Sequence, residues 1–527
     1  MNKQLVLGAE AIAMAAIDEG ISRVYAYPGT PSTEITEYIQ QSEEAPKGKN
    51  IASWSTNEKT AYESALGMSY AGKRSMVCMK HVGLNVAADA FMNSAVTGIH
   101  GGLVVVVADD PSMHSSQNEQ DTRFYGKFSY LPLLEPSNQQ EAYDAVRKAF
   151  TLSEEVKLPV IVRITTRLSH SRAIVGRKEG VSENKLNPET DKQKWILLPA
   201  IARRKYANLI EMQEQLVHYS EKSPFNKVVE GSGKMGIIAF GLAFNYAMEV
   251  INEYDLQMPV LKVSHYPLPK QMIERFYNRF ESVLIAEEGY PIYEEVLKGY
   301  FENPKVKGRL DGSLPRKGEL SPDALAIALG VKGKEEEVSE VEIPGRPPRL
   351  CDGCSHRDLF DALNKALSGY DQQHVFGDIG CYTLGALPPY SAINTCVNMG
   401  ASVTMAIGAA EAGIKPAVAV IGDSTFTHSG ITGLLDAVNF NTPITLIISD
   451  NYTTAMTGGQ DSAGTGRLHK ICKGVGVAEE HIRTIIPLKR NLDKNVAILK
   501  EEFEYEGVSV ILATRECIQT LKRKKRG

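Results

Sequence analysis

Short, continuous apolar segments alternate with amphipathic segments along most of this chain. Clear apolar runs are SMVCM at 75–79, LVVVVA at 103–108 and PVIVRI at 159–164. Strands that are apolar on both faces are typical of a parallel sheet covered by helices on both sides. Intervening segments such as AEAIAMAAIDEG at 9–20 and TAYESALGMSYAGK at 60–73 have helical periodicity. The pattern therefore predicts an α/β fold.

Changes in composition divide the chain into three predicted domains. A polar stretch rich in Lys and Gln follows the first domain, and a segment that is first acidic and then Pro-rich, at 331–349, has the clearest linker composition. The alternation of strands and helices returns after each of these segments. We predict three consecutive doubly wound α/β domains at 1–185, 230–330 and 350–527, with a partly helical connection at 186–229.

Composition narrows the class of protein without identifying it. The 527 residues are 43% hydrophobic and 23% charged with a net charge of -5, which is ordinary for a globular protein and gives no sign of nucleic-acid binding. A basic run at 522–526 is interpreted as a solvated terminus. Acidic residues interrupt the apolar N-terminus and no apolar run is long enough to span a bilayer, so we predict neither a signal peptide nor a membrane segment. Seven scattered cysteines do not resemble a secreted disulfide framework, and we predict a cytoplasmic protein.

Two apolar strands of the third domain each run into a side chain with an oxygen ligand. AVAVI leads to Gly422 and Asp423, and ITLIIS leads to Asn451. Because parallel strands end at the same edge of a sheet, Asp423 and Asn451 are expected side by side as ligands of Mg²⁺. Their spacing is that of the thiamine diphosphate signature, in which the metal holds the diphosphate; an ordinary loop between strand and helix is the alternative. The candidate cofactor contacts around this pair are Gly422, Ser424 (where the signature usually has a second Gly), Thr453 and Thr454.

Thiamine chemistry also needs a carboxyl group at the aminopyrimidine ring of the cofactor. A Glu in apolar surroundings suits this role because desolvation raises its proton affinity. Asn57-Glu58-Lys59 opens the predicted helix TAYESALG just after the strand-like IASWS, and Glu63 on the same helix is the rival of Glu58. A lone Glu at a helix start is ordinarily a capping residue, but the Asp423 motif makes Glu58 the leading candidate.

Several longer motifs resemble one enzyme family over essentially the whole chain. They are YPGTPSTEI, SWSTNEKTAYESALG, MKHVGLNVAADAFMN, VVVVADDPSMHSSQNEQDTRFYG, LCDGCSHRDLF, GDIGCYTLG and the block from GDS to TTAMTGGQ. Together they are similar to the alpha subunit of the indolepyruvate ferredoxin oxidoreductases, which are thiamine diphosphate-dependent enzymes.

The resemblance implies a fold, a reaction and partners. The first domain would bind the aminopyrimidine and the third the diphosphate, while the second would be similar to the C-terminal domain of transketolases. The family converts an aryl 2-oxoacid and CoA to the arylacetyl-CoA and CO₂ and passes electrons singly to ferredoxin. A smaller beta subunit is implied, and since such sites commonly form across subunit interfaces, so is a dimer of heterodimers.

The resemblance also implies roles for individual residues of the first domain. Thr30, in the YPGTPS turn, matches a threonine that contacts substrate and cofactor in the wider superfamily. Arg123 is a candidate for binding the substrate carboxylate, because a guanidinium binds carboxylates through two hydrogen bonds; a surface salt bridge is the alternative. Lys80, His81 and Asn85 follow the strand SMVCM as a polar cluster, with His81 a candidate catalytic residue and helix capping the alternative.

Four cysteines of the third domain are candidate ligands of a 4Fe-4S cluster. Cys351 and Cys354 form a CxxC that alone would fit half a zinc site or a redox pair, and Cys381 and Cys517 follow later. Related pyruvate:ferredoxin oxidoreductases hold a cluster with a similar pattern. Cys396 is a competing fifth thiol, reduced structural cysteines are the alternative, and His356 and Arg357 differ from the residues after the CxxC in the pyruvate enzymes.

Other functions remain alternatives at this stage. The chain contains no repeated CxxCxxC run, so we expect a short form without the ferredoxin-like module of typical alpha subunits. Such a form would pass electrons to a separate ferredoxin, or the module would belong to another subunit. A non-oxidative thiamine-dependent decarboxylase or carboligase would need no cluster, and a non-catalytic partner subunit would need no cofactor. The sequence does not choose among indolepyruvate, phenylpyruvate and hydroxyphenylpyruvate.

Overall fold

The structure, a computed structural model, describes residues 3–43, 51–301, 303–333 and 348–525. It divides into two compact units, unit 1 at Met1–Val338 and unit 2 at Ser339–Gly527. Most of the predicted linker at 331–349 lies outside the described residues, as does the end of the basic run at 522–526. The predicted boundaries of the three domains therefore stay predictions.

Unit 1 contains two sheets built mainly of parallel strands, together with a short antiparallel pair. Its strands are β1 (Lys3–Leu7), β2 (Arg23–Ala26), β3 (Ala52–Trp54), β4 (Ser75–Lys80), β5 (Leu103–Asp109), β6 (Leu133–Leu134), β7 (Val160–Thr165), β8 (Arg172–Gly176), β9 (Lys227–Val229), β10 (Met235–Phe240), β11 (Val260–Val263), β12 (His265–Tyr266), β13 (Ser282–Ala286) and β14 (Val306–Lys307).

The helices of unit 1 alternate with these strands along the chain. They are α1 (Gly8–Asp18), α2 (Thr33–Gln41), α3 (Glu58–Tyr70), α4 (His81–Thr97), α5 (Thr122–Ser129), α6 (Gln139–Val156), α7 (Thr166–His170), α8 (Pro199–Glu221), α9 (Ala243–Glu253), α10 (Lys270–Asn278), α11 (Ile292–Lys298) and α12 (Pro322–Ala328). The predicted partly helical connection contains the long helix α8.

Strand order places several loops of unit 1 at one edge. In the first sheet the order among the described residues is β12-β6-β7-β5-β4-β2-β3, and every pairing is parallel except that of β12 with β6. The second sheet has the order β14-β13-β10-β11-β9, with β9 antiparallel at its edge. Since β3, β2, β4 and β5 are parallel neighbours, the residues that follow them lie at the same edge of the first sheet.

Unit 2 is a single parallel sheet with a small hairpin beside it. Its strands are β15 (Val375–Gly377), β16 (Ala417–Gly422), β17 (Ile444–Asp450), β18 (Thr453–Thr454), β19 (Gln460–Asp461), β20 (Ile482–Ile485) and β21 (Ser509–Thr514). Its helices are α13 (Ser355–Leu367), α14 (Ala401–Glu411), α15 (Asp423–Thr425), α16 (Ile431–Phe440), α17 (Leu468–Val475), α18 (Leu492–Phe503) and α19 (Ile518–Lys524). The parallel order is β15-β16-β17-β21-β20, and β18 pairs with β19 as the hairpin.

Burial explains why the apolar runs of the sequence are strands. Every residue of β4, β5, β7, β16 and β17 is buried. Strands covered on both faces bury each side chain in turn, so their sequences are apolar along most of their length and do not alternate. The predicted α/β fold with parallel sheets is confirmed. Among the described residues, the helices are all too short or too polar to cross a membrane.

Candidate active site

Strands β16 and β17 bring three polar side chains together at the carboxyl edge of the sheet in unit 2. Their register pairs Gly422 with Ser449, so Asp423 follows one strand where Asp450 ends the next. Asp423, Asp450 and Asn451 are all buried. The sheet edge at which Asp423 and Asn451 were expected side by side therefore carries a second carboxylate, that of Asp450.

Asp423 is a buried carboxylate with an unused oxygen. Its Oδ2 atom has no hydrogen-bond partner, and among the described residues no Lys, Arg or His lowers its pKa by charge. Burial raises the pKa of Asp423 to about 7, with the nearby Asp450 adding to the rise and the hydroxyl of Ser462 opposing it. Burial likewise raises the pKa of Asp450 to about 6. Two buried carboxyl groups that lack a cationic side chain favour a bound cation, which would restore the charged form of both.

The loop after β17 supplies the remaining predicted cofactor contacts. The backbone N–H of Thr453 donates to Asn451 Oδ1 over 3.2 Å, and the Thr453 hydroxyl donates to the carbonyl of Gln460 over 2.9 Å. Thr454 donates from its hydroxyl to Ser424 Oγ over 2.9 Å. The β18–β19 hairpin thus fastens Ser424, Thr453 and Thr454 beside Asp423, and all six residues predicted around this motif lie together.

Mg²⁺ fits this arrangement because the donors are hard oxygen atoms. Carboxylate and amide oxygens with room for water and phosphate are the ligands that Mg²⁺ takes in phosphate-binding proteins. The unpartnered Oδ2 of Asp423 is the atom that a cation would satisfy. Sequence reasoning missed Asp450 and Ser462; Asp450 could have been noticed as the acidic last residue of an otherwise apolar strand.

Glu58 lies at the corresponding edge of unit 1, at the first position of α3. Asn57, and not Glu58, caps this helix, since its side chain accepts the N–H of Thr60 over 2.9 Å. The Glu58 side chain is buried, and its carboxyl lies against α4 so closely that a Cβ added to Gly83 would meet Oε1 at 2.6 Å. Its rival Glu63 is half-exposed and paired with Lys59. Of the two candidates for the carboxyl group at the aminopyrimidine ring, the structure therefore favours Glu58, because only Glu58 is buried.

Lys80 connects the end of β4 to the loop that follows β5. Its Nζ donates to the carbonyl and hydroxyl of Ser115, over 2.7 and 3.1 Å, and lies 3.9 Å from Asp110 Oδ2. Ser115 donates in turn to the carbonyl of Thr30 over 3.4 Å. Burial lowers the pKa of Lys80 to about 8, and Asp110 opposes that shift. Thr30 and Lys80 are thus brought together through Ser115, which sequence reasoning did not single out.

His81 and Asn85 lie on α4, one turn apart. His81 Nε2 is 3.3 Å from the carbonyl oxygen of Asn118, and its Nδ1 is buried without a hydrogen-bond partner. Burial lowers the pKa of His81, which favours the neutral ring. Asn85 accepts a hydrogen bond from Tyr125 over 2.6 Å. The unpartnered nitrogen makes His81 the better candidate for contact with a ligand.

Arg123 does not take the expected role. Its guanidinium is fully buried, and each of its nitrogens already donates to a protein acceptor: to Asp121, to Glu287 and to the carbonyls of Glu288 and Tyr290. A substrate carboxylate would have to break these bonds, so the structure does not support the prediction that Arg123 binds it. The alternative, a surface salt bridge, is wrong as well, because both ion pairs are buried.

Four thiols converge in unit 2. Burial raises the pKa of Cys381 to about 12, and the nearby Cys354, Cys517 and Cys351 add to the rise, so Cys381 lies near the other three thiols. All are free thiols, as is Cys396, whose own neighbours are Thr383 and Asp378. Among the described residues no three His, Cys, Asp or Glu side chains are close enough to hold a single metal ion. Cys396 is not among the thiols that raise the pKa of Cys381.

Two sequence families match the chain at the positions of these two sites. Residues 14–224 match the family described as "Pyruvate flavodoxin/ferredoxin oxidoreductase, thiamine diP-bdg", and residues 378–512 match "Thiamine pyrophosphate enzyme, C-terminal TPP binding domain". The first match contains Glu58 and the second contains Asp423 and Asn451. These matches define a thiamine diphosphate-dependent 2-oxoacid oxidoreductase.

Two similar proteins of known name identify the family more closely. The chain is 40% identical over 557 residues to the indolepyruvate oxidoreductase subunit IorA of Archaeoglobus fulgidus, covering 100% of this chain and 88% of that protein. It is 39% identical over 570 residues to the subunit of the same name from Pyrococcus horikoshii, covering 98% and 86%. The chain belongs to the indolepyruvate oxidoreductase subunit IorA family.

A solved structure shows the same fold at much lower identity. The 2-oxoglutarate:ferredoxin oxidoreductase of Magnetococcus marinus, with 2-oxoglutarate, coenzyme A and succinyl-CoA bound, has a TM-score of 0.51 and 16% identity, covering 62% of this chain and 65% of that one. This similarity concerns the fold alone.

Replacing Asp423 tests the electrostatic description of the site. Its folded-state pKa of about 7 lies above its ordinary value of 3.8, so its contribution to stability is complete below about pH 4 and is lost as pH rises through about 7. Asp423→Asn does not titrate and should stabilise the metal-free protein at pH 8 by on the order of a few kcal/mol, at about 1.4 kcal/mol per pKa unit. Melting temperatures from pH 4 to 8 without Mg²⁺ measure the difference.

The exposed Asp371, changed to Asn, is the matched control and should leave the melting temperature unchanged at every pH. The description fails if Asp423→Asn is no more stable than the native protein at pH 8, or if its advantage persists at pH 4.

Proposed function

We propose that this chain is the catalytic subunit of an enzyme that oxidatively decarboxylates arylpyruvates, with CoA as acyl acceptor and ferredoxin as electron acceptor. The observation that carries the proposal is the unpartnered Oδ2 of buried Asp423 beside Asp450 and Asn451. Indolepyruvate as the substrate class comes from the names of the relatives.

In unit 2 the residues would hold the diphosphate through Mg²⁺. Asp423 and Asn451 are the proposed metal ligands, and Gly422, Ser424, Thr453 and Thr454 the proposed contacts to the diphosphate. Binding of Mg²⁺ would keep Asp423 ionised at neutral pH, because the cation offsets the burial that otherwise raises its pKa. Bound thiamine diphosphate would supply the carbanion chemistry that cleaves the bond to the carboxylate of a 2-oxoacid.

In unit 1 Glu58 would bind and protonate the aminopyrimidine ring of the cofactor. Its burial against Gly83 excludes water from the carboxyl, which strengthens a hydrogen bond to a ring nitrogen. Thr30 lies in the loop after β2, Lys80 ends the neighbouring β4 and His81 begins the following helix α4. These three residues are the proposed contacts to substrate. Lys80 keeps its proton below about pH 8 and could attract the substrate carboxylate, the role that Arg123 cannot take.

The four thiols match the ligand set of a 4Fe-4S cluster. Cys381 lies near Cys354, Cys517 and Cys351. Four cysteine thiolates are the ordinary ligands of such a cluster. We propose that these thiols bind a cluster that accepts electrons one at a time.

The relatives are named as subunits, which supports a partner chain. We propose a smaller beta subunit, assembled with this chain as a dimer of heterodimers.

Substrate choice is tested with the chain purified with and without the beta subunit. Indolepyruvate, phenylpyruvate and hydroxyphenylpyruvate should each support CoA-dependent CO₂ release and ferredoxin reduction, with kcat/KM at least about tenfold above pyruvate and 2-oxoglutarate, a difference of about 1.4 kcal/mol. A preference for pyruvate or 2-oxoglutarate would contradict the proposed substrate class. Iron-free protein that releases CO₂ without reducing ferredoxin would establish the non-oxidative alternative.

Glu58→Gln tests the role of the buried carboxyl. Removing a general acid–base group should lower kcat by about 10²–10⁴-fold, while Mg²⁺ with thiamine diphosphate should still raise the melting temperature, since unit 2 is unchanged. Glu63→Gln on the same helix is the matched control and should keep native activity, because Glu63 is half-exposed and paired with Lys59. Equal activity of the two variants would rule out the assignment of Glu58.

A further inference from the structure

His356 lies directly against the candidate cluster. It is the second residue of α13, it is buried, and its Nδ1 is 3.2 Å from the Sγ of Cys354. Its ring faces Phe360 at a centroid distance of 6.4 Å and Tyr382 at 6.2 Å. These contacts fix the ring plane, so the imidazole nitrogen is held towards the sulfur.

The other ring nitrogen shows which tautomer makes this contact. Nε2 is buried and has no hydrogen-bond partner. A cysteine sulfur that ligates iron has no proton, so it can only accept a hydrogen bond. A proton on Nδ1 would then be donated to Cys354, whereas a proton on Nε2 would leave a buried donor unpaired and a lone pair facing the sulfur.

We propose that His356 is a positioning residue that donates its Nδ1–H to the Cys354 sulfur and thereby raises the reduction potential of the cluster. The inference rests on the proposed cluster. Reduction adds negative charge to the cluster and its sulfur ligands, and an N–H donor stabilises that charge. Because the donor is buried, water cannot replace it if it is removed.

A second side chain, that of Gln519, also donates a hydrogen bond to a candidate cluster ligand, and its effect on the reduction potential can be compared with that of His356. The side-chain amide of Gln519 donates to Cys351 Sγ over 3.4 Å, but Cys351 is exposed. Water can replace this hydrogen bond when the amide is removed. Loss of the Gln519 donor should therefore change the reduction potential less than loss of the His356 donor.

The experiment is a redox titration of the complete enzyme, followed by electron paramagnetic resonance of the reduced cluster. His356→Phe keeps an aromatic ring but removes the donor, and its equilibrium constant for reduction should fall about tenfold, which is about 59 mV for one electron. His356→Asn places an amide nitrogen near the position of Nδ1 and should stay within about threefold of the native value. Gln519→Leu should change the constant less than His356→Phe does.

Iron content is measured first, because it distinguishes a failure of the proposed cluster from a failure of the proposed role of His356. Native enzyme without iron would overturn the cluster and this inference together. Iron-loaded His356→Phe with a native potential would overturn the inference and leave the cluster standing.

Loss of the cluster in a variant is also decisive. If His356→Phe loses iron while His356→Asn retains it at the native potential, the donor and not the ring volume holds the site, which supports the inference. If both variants lose iron, the role of His356 is packing alone and the inference is overturned.

Discussion

The arrangement of unit 2 depends on two carboxyl groups buried at the end of a parallel sheet. Asp423 follows β16 and Asp450 ends the neighbouring β17. Burial raises the pKa of both carboxyl groups, Asp450 adds to the rise at Asp423, and no cationic side chain among the described residues opposes it. A protein that buries charge in this way loses stability unless a cation enters. The same feature that weakens the metal-free fold at neutral pH is the one that would select a divalent metal and, with it, a diphosphate.

The side chain of Tyr382 lies close to both candidate sites of unit 2. Tyr382 packs so closely against Gly422 that a Cβ there would meet its ring at 2.9 Å, and its hydroxyl donates to buried Asp378. On the other side the same ring lies 6.2 Å from His356, which contacts Cys354. The ring of Tyr382 therefore lies close both to the Asp423 motif and to His356, the neighbour of Cys354.

Features set by local sequence could be predicted, and features set by distant pairing could not. Continuous apolar runs gave the buried strands β5 and β17 directly, because both faces of a parallel sheet are covered. The juxtaposition of Asp423 and Asn451 followed from strand direction alone. The burial of Arg123 depends on Glu287, which lies 164 positions away, and no local pattern marks that pair. Glu58 and Glu63 share a helix, and only their burial in the fold distinguishes them.

The central claim is that Asp423 and Asn451 hold a divalent cation at the carboxyl edge of the sheet. A crystal structure of the enzyme grown with thiamine diphosphate and Mn²⁺, with data collected at the manganese absorption edge, tests it directly. The account predicts an anomalous peak within coordination distance of Asp423 Oδ2 and the Asn451 amide oxygen, close to the roughly 2.0–2.1 Å of magnesium–oxygen bonds. Bound thiamine diphosphate with no peak at these side chains, or with the metal held elsewhere, would contradict it.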